Sequence, residues 1–309
     1  MSAGGWNTIE SDAGVFTELV ERLNVENVEF EELYSFDQST LAALQPLYGV
    51  IFLFKYSDLD QSTIGPVGGG EFDHEESIFF AKQRIQNACA TQAVLNILLN
   101  KTDQVKIGEE LTNFKEFVNY FDSDLKGETI SNSDLIRTIH NSFSSPNQFV
   151  DEQQSNNKID DDDNLFHFIG YIRVNNKIIE LDGLKPFPIS HGECLSDEEF
   201  IERLPQVLTQ RINQYKEGEL RFSLLALVKD RRELLKEFGD EDGLEKELVK
   251  REKWKTDNEL RRCDLIGLVN QALKTISAQN EDTQWNDLLK RASLTGSARF
   301  INKKLKRGL

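Results

Sequence analysis

Residues 83–100, Gln-Arg-Ile-Gln-Asn-Ala-Cys-Ala-Thr-Gln-Ala-Val-Leu-Asn-Ile-Leu-Leu-Asn, constrain this chain more than any other stretch. Val94, Leu95, Leu98 and Leu99 recur at helical spacing with Ile97 beside them, which predicts a helix buried in a core. The first half is polar and ends in a cysteine. Asn87 is the predicted N-cap, which puts Cys89 in the first helical turn. There the unpaired N–H groups and the positive end of the helix dipole favour a thiolate. Gln83 stands six residues earlier, near enough for its amide to point at whatever Cys89 attacks. Taken alone, the stretch is more simply explained by a buried free cysteine opening a core helix, since free Cys is among the most buried residue types.

The surrounding pattern is mixed. An acidic cap, Glu10-Ser11-Asp12, precedes a helix through Val15, Phe16, Leu19, Val20 and Leu23. Val28 and Phe30 begin a short strand, and 41–47 read as a helical turn. The run 48–56 is continuously apolar and predicts a central strand buried on both faces. Residues 57–76, with Pro66 and the triple glycine 68–70, predict a loop; the Gly-Lys-Ser/Thr of a phosphate loop is missing. Helices are predicted over 105–122, 131–143 and 197–216, and strands over 165–172, 178–183 and 221–228. Asn175-Asn176 predicts a hairpin turn between the first two of those strands. From 230 onward everything reads helical and charged: 230–256, interrupted at Gly239 and Gly243, then 257–278 after a break near 256–258, then 283–293.

A length of 309 residues with 39% hydrophobic content allows one large domain or two. The three cysteines, Cys89, Cys194 and Cys263, are odd in number and far apart, which argues against a disulfide framework and for a reducing compartment. The N-terminus shows no signal-peptide pattern, and no apolar run approaches the roughly 18 residues of a membrane span. The net charge of −17 is uneven. Residues 229–309 carry 19 Lys+Arg against 15 Asp+Glu, and residues 1–228 carry 17 against 38. Direct nucleic-acid binding by the acidic part is disfavoured; a basic protein or peptide tail suits it better, and plain solubility explains the charge equally well.

His167 lies in a predicted strand directly after 144–164, a polar stretch without periodicity that ends in Asp160 to Asp163. Asp182 ends the hairpin partner in Glu-Leu-Asp-Gly. Separately they read as a core histidine and a turn aspartate. Together, two antiparallel strands can set His167 beside Asp182, with the carboxylate holding the imidazole.

The order Gln83, Cys89, His167, Asp182 resembles the ubiquitin carboxyl-terminal hydrolase family of papain-like cysteine proteases. The matching pieces are Gln83…Asn87-Ala88-Cys89, Phe166-His167-Phe168 and Glu180-Leu181-Asp182-Gly183-Leu184, with Glu10-Ser11-Asp12-Ala13-Gly14-Val15-Phe16-Thr17 and Gly218-Glu219-Leu220-Arg221-Phe222-Ser223. The resemblance covers about 1–228 and points to the larger, proteasome-associated branch with a helical C-terminal extension. Leu248, Lys250, Trp254, Lys255, Asn258, Arg261-Arg262 and the segment 272–275 extend it.

The resemblance implies an α/β fold of the papain-like kind: a central, mostly antiparallel sheet flanked by helices, a knotted chain path, a catalytic domain over 1–228 and a helical extension over 229–309. It implies a Cys89–His167–Asp182 triad, Gln83 in the oxyanion hole, and Glu10, Asp12, Phe16 and Phe222 in the ubiquitin surface. No metal or organic cofactor is implied; Cys194, Cys263, His74, His140 and His191 lack ligand spacing. The implied partners are ubiquitin and, through 229–309, a proteasome ubiquitin-receptor subunit, with a chromatin-remodelling complex as a further one, in cytoplasm and nucleus. The segment 144–164 is expected to gate the site. The competing expectations are a scaffold subunit whose hydrolysis is secondary, and a hydrolase of another ubiquitin-like modifier.

Overall fold

A computed structural model describes residues 5–56, 60, 63, 65–144, 166–215, 222–263, 265–280 and 282–306. The expected gate, beyond Ser144, lies outside the described residues. The apolar run forms β2 (Leu47–Lys55), an inner strand of a seven-stranded sheet with β1 (Val28–Leu33), β3 (Glu71–Phe72), β4 (Phe166–Val174), β5 (Lys177–Leu181), β6 (Ile189–Glu193) and β7 (Phe222–Lys229). The strand order is β1-β7-β2-β4-β5-β6-β3, and every neighbouring pair is antiparallel. The hairpin turn behaves as its sequence predicts: Asn175 and Asn176 adopt φ of 51° and 58°, and Val174 pairs with Lys177.

Both sheet faces are covered. On one face, α1 (Ala13–Arg22) and the cysteine helix α3 (Cys89–Leu98) bury Phe16, Leu19, Val94 and Leu95 against Phe30, Ile51, Phe168 and Ile172. On the other, α7 (Asp197–Ile212) buries Phe200, Leu204 and Leu208 against Phe52, Phe54, Ile169 and Tyr171. Helix α3 approaches the sheet closely because two strands present glycine beneath it. An added Cβ would lie 2.9 Å from Ile97 Cγ2 at Gly49 and 3.0 Å from Ile97 Cγ1 at Gly170. Further helices among the described residues before β4 are α2 (Gln38–Ala42), α4 (Gly108–Phe117), α5 (Ser123–Asn132) and α6 (Asp134–Asn141). The helical turn predicted over 41–47 lies earlier, because Asp37 caps it and Leu47 already belongs to β2.

After β7 come α8 (Arg231–Phe238), α9 (Glu241–Arg262), α10 (Ile266–Ala278) and α11 (Asp282–Lys306). Gly239 ends α8 in the left-handed region, φ 69°, but Gly243 sits in the first turn of α9 without interrupting it. Nor is there a break at 256–258. Asn258 is buried and donates to Gly14 O at 3.0 Å, so the helix continues to Arg262.

The chain divides into two compact units, the second beginning at Cys263. The sheet unit thus keeps α8 and α9. Trp254 packs on Gly14, Lys250 Nζ meets Glu31 Oε1 at 2.5 Å, and Arg251 pairs with buried Glu29 at 3.2 Å.

Candidate active site

The site is built where β4, β5 and the start of α3 meet. His167 stands at the second position of β4, opposite Phe54 of β2. Asp182 follows the last residue of β5, one step beyond the Gly170–Leu181 pair. Both are buried, and His167 Nε2 donates to Asp182 Oδ1 at 2.7 Å. The rings of Phe54 and Tyr56 stand edge-on to the imidazole, at 5.7 and 5.6 Å. Their packing and the carboxylate together fix the ring's orientation. Burial alone would raise the Asp182 pKa. The His167 charge and hydrogen bond, Arg211 and the Leu184 N–H, at 2.9 Å from Oδ1, outweigh it and hold the carboxyl below its usual range.

Cys89 opens α3, with a short 3-10 turn (Gln86–Ala88) in front of it. The expected cap is absent: Asn87 donates to Trp6 O at 2.8 Å, and the turn supplies the entry to the helix. Cys89 is half-buried as a residue, and burial of its sulfur pushes the thiol up to about 12, against the N–H groups of Ala90 and Cys89 that favour the thiolate. Among the described residues, no hydrogen bond joins Cys89 to His167, and His167 Nδ1 is the ring nitrogen left without a partner. Gln83 is pinned by its backbone, whose N–H donates to Gly183 O at 2.8 Å, one residue after Asp182. Its side-chain Nε2 makes a long contact, 3.4 Å, with Gln86 O.

The four residues expected at a ubiquitin surface are placed differently from one another. Phe16 is a core residue packed between Phe30 and Phe168, so it offers a partner no surface. Asp12 caps α1 through Val15 N at 3.1 Å and pairs with Arg261 at 3.1 Å. Glu10 meets the same guanidinium at 3.2 Å, and Phe222 opens β7 beside Phe52.

Arg211 is a buried cation that sequence reasoning passed over, because an arginine in a helix reads as surface. It donates to Val67 O and Asp60 Oδ1, both at 2.9 Å, and lies 5.0 Å over the Phe54 ring. Its signal in the sequence is its place on the apolar stripe of α7, one turn after Val207 and Leu208. Among the described residues, three carboxylates stand close enough to share a cation, Glu29, Glu31 and Glu247, and Lys250 and Arg251 form ion pairs among them.

Residues 6–213 match the family model described as ubiquitin carboxyl-terminal hydrolase, family 1. The chain belongs to this family. It is 41% identical to ubiquitin carboxyl-terminal hydrolase 2 of Schizosaccharomyces pombe, over 97% of this chain and 99% of that one. It is 37% identical to ubiquitin carboxyl-terminal hydrolase ubh-4 of Caenorhabditis elegans, over 90% and 89%. Among solved structures it resembles Trichinella spiralis UCH37 bound to ubiquitin vinyl methyl ester, with a TM-score of 0.62 and 30% identity, covering 83% of this chain and 99% of that one. The catalytic domain of the same protein, in the same kind of complex, gives 0.61 and 35%, over 73% and 96%. As a member of the ubiquitin carboxyl-terminal hydrolase family, the chain is a cysteine peptidase, and its mixed fold with an antiparallel sheet and helical C-terminal region matches those structures.

Proposed function

We propose that this enzyme hydrolyses the amide bond that follows the C-terminal glycine of ubiquitin, with Cys89 as nucleophile. The observation that carries the reading is the buried pair at 2.7 Å, His167 Nε2 to Asp182 Oδ1. That pair fixes a tautomer with Nδ1 unprotonated, able to take the thiol proton that burial otherwise holds on Cys89. Sγ attacks the glycine carbonyl carbon as its proton passes to Nδ1. Charge develops on the carbonyl oxygen, which the Gln83 amide and the Cys89 N–H receive. The C–N bond then breaks, and the imidazolium gives its proton to the leaving amine, leaving a thioester. Water, deprotonated by His167, cleaves the thioester and releases the carboxylate and the thiol.

Ubiquitin as the substrate is supported by the family and by relatives solved with a ubiquitin electrophile. The excess of acidic residues over 1–228 suits a basic tail. Glu10 and Phe222 are the surface candidates that remain open to a partner. The test is labelling with ubiquitin carrying a C-terminal vinyl electrophile. One adduct on Cys89, lost in Cys89→Ala, is expected; labelling of Cys194 or Cys263 instead, or selective labelling by another ubiquitin-like modifier, would overturn the reading.

A docking role for the second unit is favoured by α10, where Leu268, Val269, Leu273 and Ile276 are exposed. We attach to it the binding of a proteasome ubiquitin-receptor subunit, in cytoplasm and nucleus, with a chromatin-remodelling complex as a second host. Loss of receptor binding in Leu268→Asp, with turnover of small substrates intact, is the expected result.

A further inference from the structure

We infer that Gln92, the last rung of a ladder of buried amides along the cysteine helix, is a positioning residue that sets where the Gln83 side chain stands. The inference rests on the reading of Gln83 as an oxyanion donor.

Gln92, Asn96 and Asn100 occupy positions i, i+4 and i+8 along α3 and just past its end, in a stretch that is otherwise apolar. Gln92 and Asn96 are 2% and 1% exposed. Buried amides destabilise a core unless their hydrogen bonds are made. Apart from the bond that Asn100 Nδ2 also makes to Asn96 O at 2.7 Å, those that these three make go to one neighbour, the segment leading into Gln83. Asn100 Oδ1 accepts from Phe79 N at 2.8 Å, and its Nδ2 donates to Phe79 O at 2.7 Å. Asn96 Oδ1 accepts from Ala81 N at 2.9 Å, and its Nδ2 donates to Ala81 O at 3.2 Å. Gln92 Nε2 donates to Ala81 O at 2.6 Å.

The two repeats match in length. Four helical residues rise about 6 Å, and two extended residues span about 6.6 Å. A helix can therefore grip every second residue of an extended segment, as α3 grips residues 79 and 81. The segment runs toward the N-terminus of α3, so Gln83, two residues past Ala81, continues toward the end of the helix that carries Gln92 and, one turn away, Cys89. Gly183 closes the arrangement from the other side. A Cβ there would lie 3.1 Å from Gln83 Cβ and 3.5 Å from Gln92 Nε2, so both glutamines border the space that a side chain at 183 would take. The Gln92 Oε1 atom is buried without a hydrogen-bond partner, which leaves Nε2 as the working end. One helix thus carries the nucleophile and also holds the segment bearing the oxyanion amide, so the two keep a common frame.

The test is a double-mutant cycle on turnover of a ubiquitin C-terminal fluorogenic amide, with thermal melting as a control. Gln92→Met keeps length and removes the donor. It should lower kcat by about 10- to 100-fold, as expected for misplacement of a donor by a fraction of an ångström, with KM within about twofold. In a Gln83→Ala background the same substitution should cost almost nothing further. An equal loss in both backgrounds, or no loss in either, overturns the inference. If Gln92→Met does not fold, Gly183→Ala pushes the same segment from the opposite side. The same cycle then applies to Gly183→Ala: a loss confined to the Gln83 background supports the inference, and an equal loss in both, or none in either, overturns it. Gln83→Ala measured alone separates the underlying reading: wild-type turnover there would remove the oxyanion role, whatever Gln92 does.

Discussion

Replacing Gly127 by alanine sets helix propensity against packing, and the two predict opposite signs. Gly127 lies inside α5, where alanine ordinarily stabilises a helix by about 1 kcal/mol. Here a Cβ would lie 1.9 Å from Lys82 O, 2.9 Å from Lys82 C and 3.1 Å from Arg84 Cγ. Backbone carbonyls cannot swing away as side-chain ends do, so α5 and the 82–84 segment must part by roughly 1 Å or more. Overpacking of this kind costs about 1–3 kcal/mol, which outweighs the propensity gain. The displaced residue directly precedes Gln83, and Lys82 N is itself tied to Ser123 O at 2.8 Å. A misplacement of about 1 Å in such a group slows a reaction by about 100-fold. We therefore expect Gly127→Ala to lower kcat on a ubiquitin fluorogenic amide by about that factor, with little change in KM, and to lower stability in urea unfolding. A variant about 1 kcal/mol more stable than wild type, with wild-type kcat, would refute the claim that α5 supports the oxyanion segment.

Asp182→Asn should fold yet lose about 10,000-fold in kcat, the scale seen when an orienting aspartate is replaced and the imidazole tautomer reverses; retention of a tenth of the activity would show that His167 is oriented by packing alone. His140 is buried between Thr91 Oγ1 and Asn7 O, both at 2.7 Å, and burial depresses it from 6.5 to about 4. The unfolded chain then binds the proton first, so stability present above pH 6.5 is lost as pH falls toward 4, by about 3 kcal/mol, and a melting series of wild type against His140→Gln should show that slope only in wild type. Trp254→Ala should cost about 2–3 kcal/mol, because the half-buried indole fills the space above Gly14 and carries Lys250 Nζ at 4.6 Å from its ring; an unchanged melting temperature would mean that α9 is held by its ion pairs alone.

Legibility in the sequence followed locality. The cysteine helix, α1, β2 and the Asn175-Asn176 hairpin announce themselves through periodicity and turn chemistry carried by adjacent residues. The pairing of His167 with Asp182 was legible for the same reason, since a single tight hairpin brings them together. Elements defined by distant partners were not. Helix α5, Ser-Asp-Leu-Lys-Gly-Glu-Thr-Ile-Ser-Asn, has a central glycine and little apolar pattern, because its inner face is built to let Lys82 O approach. Strands β3 and β6 pair with each other only through Glu71–Ser190 and Phe72–Ile189, and neither has a pattern of its own. Asn258 reads as a helix stop, yet its amide is taken by Gly14 O and Glu18 Oε2 across the molecule. Phe16 reads as surface by analogy and is core by packing. The amide ladder left one usable trace, three amides at a spacing of four in an apolar helix, which has no reason to exist unless something extended lies along it.

The central claim is that Cys89 is the nucleophile toward a ubiquitin C-terminal amide. The most direct measurement is turnover of a ubiquitin C-terminal fluorogenic amide by wild type, Cys89→Ala, Cys194→Ala and Cys263→Ala, each shown to be folded by its melting curve. Cys194 is buried and Cys263 is exposed, so the two controls cover both kinds of bystander thiol. No detectable turnover is predicted for Cys89→Ala, and near wild-type rates for the other two. Hydrolysis at the wild-type rate by folded Cys89→Ala would contradict the claim.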